Sequence, residues 1–323
     1  MPVDLWRKIQ RSNFTSLDAL CIFLGLNETL RSELEQNSAF SLNLPKRLAE
    51  KIQKGTLDDP ILRQFVPLKK EKEKTESFCT DPVGDCQAAL TQKYLHKYAG
   101  RVLLLATSAC AMHCRYCFRQ KYEYAPLQKG FDEELNRLQQ DLLIKEVILS
   151  GGDPLSLSND QLGHILASLD TLTHIKRIRF HSRFPIGIPE RIDSGFLTLL
   201  EKCQKQIWFV IHCNHPHELD AEILAALKNI QRLGIPVLNQ WVLLKGVNDS
   251  IEVLEALCEQ LVDSGIFPYY LHQLDRVEGA AHFEVDKEKG RQLIAELNRR
   301  IAGYAVPRYV QEIAREPSKT LLF

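Results

Sequence analysis

The sequence predicts an α/β fold organised on a parallel sheet, and three observations carry that prediction. Six short apolar runs rich in Val, Ile and Phe recur at 102–106, 146–149, 177–181, 207–211, 236–244 and 267–271. Helical patterns separate and follow them, at about 133–143, 159–169, 195–202, 219–233, 251–262 and 286–301. Parallel strands need such crossovers, because no tight turn can join them. The third observation is the polar residues that follow five of the runs: 110–117, Gly151-Gly-Asp-Pro154, His181-Ser-Arg183, His212-Cys-Asn-His215 and His272-Gln-Leu-Asp275. A doubly wound open sheet and a barrel both accommodate six strand–helix units. Polar clusters repeated at strand C-termini favour a barrel-like arrangement facing one site. The near-continuous apolar character of the runs predicts strands covered on both faces.

In chain order, residues 1–75 read as a helical extension and linker, 76–305 as the core, and 306–323 as a C-terminal segment. Ser16 or Asp18 starts a helix over 17–24 that ends at Gly25, and Asn27 caps a second through Leu34. Pro45 occupies the first turn of a third, in which Leu44, Leu48 and Ile52 share a face. These helices read as a packing appendage without legible chemistry. The run Lys69-Lys-Glu-Lys-Glu-Lys predicts a solvated linker. Residues 78–100 are less regular, with turn chemistry at Asp81-Pro-Val-Gly-Asp85.

The chain has 323 residues and a formal net charge of +0, so no global field points to nucleic acid or to an acidic membrane surface. The N-terminus lacks a basic stretch followed by an apolar run, which predicts no signal peptide, and no apolar stretch reaches membrane-spanning length. The nine cysteines are odd in number, and the six outside 110–117 show no framework spacing. That predicts reduced thiols and a cytoplasmic location.

Cys110, Cys114 and Cys117 are spaced C-x3-C-x2-C. Three thiolates this close can hold three irons of a cubane cluster and leave the fourth open for chemistry. The same spacing also places three thiols on one helix face. However, His113, Arg115, Tyr116, Arg119, Gln120 and Lys121 interleave or follow them, a poor composition for a buried seam. A structural zinc set would need a well-spaced fourth ligand. The pair Gly151-Gly152 lets backbone approach a ligand closely, and is equally a turn. Read alone, Lys319 is a tail residue, Arg101 a strand-start charge and Glu312 a surface carboxylate. His212 with His215 and His217 is a zinc alternative, against which stand Pro216 and the missing carboxylate or thiol order.

A cysteine motif after the first strand and Ser150-Gly-Gly-Asp-Pro154 after the second resemble the radical S-adenosylmethionine superfamily. The resemblance implies a partial, TIM-like (β/α)6 barrel behind the N-terminal helical extension. It also implies a [4Fe-4S] cluster whose open iron binds S-adenosyl-L-methionine and whose electron cleaves it to a 5′-deoxyadenosyl radical. Gly151, Gly152 and Asp153 match the motif that holds the amino group of S-adenosyl-L-methionine, and His212 matches a residue that contacts it. A narrower set extends from about residue 80 to 319. It comprises Arg101-Val-Leu-Leu-Leu, Cys114-Arg-Tyr-Cys-Phe-Arg119, Leu149-Ser-Gly-Gly-Asp-Pro, Asn239-Gln240 through Asp249, and Glu278-Gly-Ala-Ala-His-Phe283. In that order the motifs resemble the lysine 2,3-aminomutase family.

That second resemblance implies an isomerase that converts L-lysine to (R)-β-lysine with pyridoxal 5′-phosphate held as a Schiff base on Lys319. The family's glycine run before that lysine is replaced here by Arg-Glu-Pro-Ser. Lys97, Arg101 and Gln240 match the contacts to the cofactor phosphate. Arg119 matches the residue for the substrate carboxylate. Asp275 and Glu312 match the pair for the far ammonium, Glu312 standing where the family commonly has Asp. The implied partners are an electron donor such as flavodoxin or ferredoxin, and a β-lysyl ligase that modifies elongation factor P. The cysteine motif, the Glu-Pro-Ser-Lys-Thr segment and the short chain after Lys319 look like that branch. A homo-oligomer is compatible with it, and no nucleic acid or membrane partner is implied. The rival readings are a catabolic or biosynthetic aminomutase unrelated to elongation factor P, a radical enzyme without pyridoxal phosphate, and a non-catalytic Fe–S electron-transfer or sensor protein.

Overall fold

The computed structural model describes residues 4–123 and 130–323. Nine strands form one sheet in chain order: β1 (Tyr94–Tyr98), β2 (Arg101–Thr107), β3 (Glu146–Gly151), β4 (Arg177–Ser182), β5 (Gln206–Ile211), β6 (Val237–Val242), β7 (Phe267–His272), β8 (Arg308–Gln311) and β9 (Thr320–Leu321). Strands β2 to β8 are parallel. The outer strands β1 and β9 run antiparallel to their neighbours. The sheet order does not return β9 to β1, so this is an open, partial barrel. All six expected strands are present. A seventh parallel strand, β8, joins them, with Tyr270 opposite Arg308. Its four residues follow Pro307 and begin with Arg, too short for a period-2 signal.

The extension contains α1 (Leu5–Arg11), α2 (Leu17–Leu24), α3 (Glu28–Ser32), α4 (Lys46–Lys51) and α5 (Pro60–Phe65). Ser16 caps α2 through its hydroxyl, and Gly25 ends it in the left-handed region at φ 65°. Asn27 caps α3, which stops at Ser32, two residues before the expected Leu34. The region 78–100 is more ordered than its composition implies, since it contains α6 (Asp85–Ala88) as well as β1. The helices beyond are α7 (Asp132–Gln140), α8 (Asn159–Thr171), α9 (Phe184–Gly187), α10 (Ser194–Lys202), α11 (Ala221–Arg232), α12 (Ile251–Asp263) and α13 (Lys287–Arg300). Among the described residues, no helix is long and apolar enough to cross a membrane.

The two faces of the strands differ, contrary to the expectation of cover on both. Toward the helices lie Val147, Leu149, Ile178, Phe180, Ile207, Phe209 and Trp241, all buried. The alternate residues, among them Arg101, Ser150, Arg179, His181 and Gln240, are only half-buried. Successive strand residues point to opposite faces, so one set packs and the other lines the concave side. The extension shares the same apolar core: the ring of Trp6 meets that of Phe184 edge-on at 5.4 Å.

Candidate active site

The site forms where the C-terminal ends of the parallel strands meet the loop that follows β2. That loop carries Cys110, Cys114 and Cys117, and the extension holds its backbone. Asn13 Nδ2 donates to the Ala111 carbonyl at 2.8 Å, and Gln10 and Asn43 donate to the Cys110 carbonyl at 3.4 and 3.3 Å. The His113 amide donates to Asn43 O (3.0 Å) and that of Arg115 to Gln64 O (2.8 Å). The His113 ring stacks on Phe40 with centroids 4.7 Å apart.

Arg115 is 1% exposed, so a charged residue between the cysteines is compatible with burial after all. It is neutralised by Glu71, which accepts from its Nε at 3.0 Å and from Nη2, while Phe40 O accepts from Nη1 at 2.5 Å. The run at 69–74 is therefore not simply a solvated linker. Residues Lys69–Lys72 form a single 3-10 turn that delivers a counter-charge to the cysteine loop. Buried charges are found paired because removal from water costs several kcal/mol per ion.

The cysteine chemistry fits a cluster. Burial raises the thiol pKa of Cys110 well above its usual value and that of Cys117 to about 11, and each is raised further by the charge of Cys114. Thiols in such a setting become thiolates when a metal supplies the positive charge. Among the described residues, no three His, Cys, Asp or Glu side chains converge on a single ion. Ligands on separate irons of a cubane have no need to converge in that way.

The glycine pair packs directly on the cysteine loop. Gly151 has φ +116°, and a Cβ on Gly152 would lie 2.3 Å from the Ala109 carbonyl oxygen. The amides of Gly152 and Asp153 donate to Thr107 O (2.6 Å) and Ala109 O (2.7 Å). These N–H groups are thus spent within the protein. Asp153 differs from its expected role as well. Its buried carboxylate accepts from the amides of Leu155, Arg183 and Phe184 and from the Ser182 hydroxyl. In this structure Asp153 ties the glycine turn to the end of β4.

Deeper in the barrel, one charge network joins four predicted residues through a fifth that sequence reasoning missed. Arg119 Nε donates to Asp85 at 2.6 Å, and Lys97 Nζ bonds the other Asp85 oxygen at 2.6 Å. Lys97 also stands 3.7 Å from Glu312, and Glu312 accepts from Lys319 Nζ at 2.6 Å and from the Tyr98 hydroxyl at 2.5 Å. The ammonium of Lys97 is therefore directed to carboxylates here. Asp85 was legible only as turn chemistry. Its burial opposes ionisation, but Arg119 and Lys97 outweigh that and hold its pKa below the usual range. Glu312 is likewise opposed by burial and is held low by Lys319.

Asp275 is half-buried by surface yet surrounded by chain. That enclosure pushes its pKa up to about 7, against the pull of Lys319 and with a push from Glu312. Asp275 Oδ1, His272 Nε2 and His181 Nε2 are enclosed and have no hydrogen-bond partner among the described residues. A polar ligand in the chamber between these strand ends would give such atoms the partner they lack. His181 and His212 face each other at 3.3 Å. Burial keeps both neutral, that of His212 down to about 3. His212 is therefore placed at this chamber, separate from the His215–His217 pair beside it. Arg101 stands over the Tyr98 ring at 4.6 Å and makes no ion pair among the described residues, which leaves a cation for a phosphate. Gln240 lies half-buried on the inner side of β6. The chamber thus offers an amine, a cation and open polar atoms, which fits pyridoxal phosphate and an amino-acid substrate.

Three comparisons bear on the family of the chain. Residues 99–182 match a family model described as a 4Fe-4S single cluster domain. The chain is 39% identical to the L-lysine 2,3-aminomutase of Escherichia coli over 95% of its own length and 91% of the relative's. It is 38% identical to that of Haemophilus influenzae, over 98% and 95%, and 33% identical to that of Clostridium subterminale, over 81% and 64%. Among solved structures, SuiB of Streptococcus suis bound to S-adenosylmethionine shares the fold. Its TM-score is 0.51 and its identity 17%, covering 67% of this chain and 51% of that one. The chain belongs to the L-lysine 2,3-aminomutase family, isomerases of the radical S-adenosylmethionine superfamily that work with a [4Fe-4S] cluster, S-adenosyl-L-methionine and pyridoxal 5′-phosphate.

Proposed function

We propose that this protein moves the α-amino group of L-lysine to Cβ, that it makes the (R) product, and that the β-lysine supplies the modification of elongation factor P. The observation that carries the catalytic reading is the network Arg119–Asp85–Lys97–Glu312–Lys319, with Asp275 beside it. Its ends suit the two ends of lysine. Arg119 presents a guanidinium fork to a carboxylate. Asp275 and Glu312 present two carboxyl groups to an ammonium, which Lys319 supplies in this structure. When bound, the cluster and S-adenosyl-L-methionine supply a carbon radical, and pyridoxal phosphate supplies a ring that holds the migrating nitrogen.

The chain's own residues do the positioning. Cys110, Cys114 and Cys117 hold three irons. Gly151-Gly152 and the neutral ring of His212 line the place for S-adenosyl-L-methionine. Arg101 and Gln240 would hold the phosphate of pyridoxal phosphate, and Lys319 is the amine that would hold the cofactor at its other end. Fixing both ends of lysine sets which carbon faces the radical, and orientation of this kind supplies much of an enzyme's rate enhancement. The link to elongation factor P rests on the Cys114–Arg119 motif and the segment Glu316-Pro-Ser-Lys-Thr320. An electron donor such as flavodoxin or ferredoxin and a cytoplasmic setting follow from the same reading.

The test is anaerobic reconstitution with L-lysine, S-adenosyl-L-methionine and dithionite, with and without pyridoxal phosphate. β-Lysine that depends on all components is expected, and none under any condition would overturn the reading. Chiral chromatography fixes the enantiomer. Feeding the product to a β-lysyl ligase with elongation factor P tests the role, which fails if the product is not transferred.

A further inference from the structure

Arg183 lies in the turn after β4, where it N-caps α9, and it is 6% exposed. Its Nη1 donates to Cys114 Sγ at 2.8 Å and also to the Tyr116 hydroxyl oxygen. Its Nη2 donates to Gln64 Oε1 at 2.6 Å and to Glu218 Oε2 at 2.7 Å. The guanidinium carbon stands 4.6 Å from the centre of the Phe65 ring and 5.5 Å from that of Tyr116. Glu218 and Gln64 are 0% exposed. Glu218 Oε1 is itself fixed, accepting from the amides of Asn214 (2.9 Å) and His215 (3.0 Å) and from Gln64 Nε2 (3.1 Å). No expected role in substrate or cofactor binding uses Arg183, Tyr116, Gln64 or Glu218.

We propose that Arg183 is a tuning residue for the cluster, and that Glu218 and Gln64 aim its positive end at the Cys114 sulfur. Taking up one electron makes a cluster and its thiolates more negative, with no proton required. A cation donating a hydrogen bond to a ligand sulfur stabilises that reduced state more than the oxidised one, so it raises the reduction potential. The ion pair is ordered so that Arg183 meets the sulfur and Glu218 lies behind it. The two charges therefore act on the cluster with opposite sign, and the nearer one prevails. The donor comes from the β4 turn and its supports from α5 and the β5 loop, so the fold, and not the cysteine loop alone, sets the potential. This rests on Cys110, Cys114 and Cys117 holding the cluster, and failure of that assignment shows separately as missing iron and sulfide.

The test is a potentiometric titration followed by electron paramagnetic resonance. It uses anaerobically reconstituted full-length protein without lysine or pyridoxal phosphate, matched for iron and sulfide content. Arg183→Gln is expected to lower the potential by about tenfold in the reduction equilibrium, which is about 59 mV for a one-electron couple. Arg183→Lys, which keeps the charge but loses the fork, falls in between. Glu218→Gln shifts the potential upward. General loosening of the site would move all variants the same way. If Arg183→Gln does not retain a cluster, the Arg183→Lys and Glu218→Gln pair decides. An unchanged potential in Arg183→Lys, or shifts of the same sign in both, overturns the proposal.

Discussion

Replacing Asp85 by Asn removes a carboxylate that Arg119 and Lys97 share. Asp85 is 1% exposed and lies 2.6 Å from each cation. Breaking a buried ion pair by removing one partner costs about 3–5 kcal/mol, because the cations lose a charge that offset their removal from water. With an unfolding entropy of about 2.1 cal/mol/K per residue over a chain this long, the thermal midpoint should fall by roughly 4–7 °C. The pH dependence has a definite sign. Asp85 has a folded pKa below its unfolded one, so its stabilisation is complete above the unfolded value of about 3.9 and is lost as pH falls through the folded value. The gap between wild type and Asp85→Asn should therefore close in acid. In catalysis, Arg119 loses the acceptor that aims it. A hydrogen bond to a charged group is worth about 1.5–3 kcal/mol, so kcat/KM for lysine should fall roughly 10- to 100-fold. Calorimetry across pH and steady-state kinetics on the reconstituted protein measure both. A midpoint within 1 °C of wild type at neutral pH, or a gap that widens in acid, would refute the assignment of Asp85 as the shared counter-ion.

Three further outcomes are expected. Lys319→Ala should abolish the visible absorbance of the lysine-bound cofactor while iron and sulfide stay at the wild-type level; persistence of that absorbance would place the attachment elsewhere. Gly152→Ala would push a Cβ to 2.3 Å from the Ala109 carbonyl and so displace the cysteine loop. It should lose most of its iron, whereas Gly163→Ala, whose Cβ meets only the Leu199 side chain, should keep it. Asp275 has a folded pKa raised to about 7, so it favours the folded lysine-free protein while protonated. That contribution is present below the unfolded value of about 3.9 and is lost as pH rises through about 7. Because a bound ammonium favours the carboxylate, lysine binding near pH 7 should release a proton and tighten as pH rises, and Asp275→Asn should abolish the release. Calorimetry in buffers of different ionisation enthalpy reads this, and proton uptake instead of release would refute it.

The sequence by itself determined the parallel architecture, because alternating apolar runs and helical periods are local patterns that survive without coordinates. It also determined the cysteine triad and, through ordered motifs, the family. It could not show β8, which is four residues long, or the part played by residues 4–71, whose polar side chains reach the cysteine loop across gaps of up to 100 positions. Asp85 looked like a turn residue, and Arg183 merely followed a strand. Each acquires its partner, Arg119 or Cys114, only when the sheet brings the two together. Periodicity reports which way a side chain faces along its own element, while a buried charge is decided by what lies opposite. Only the tertiary structure puts Glu71, Asp85 and Glu218 beside Arg115, Arg119 and Arg183, whose charges they offset.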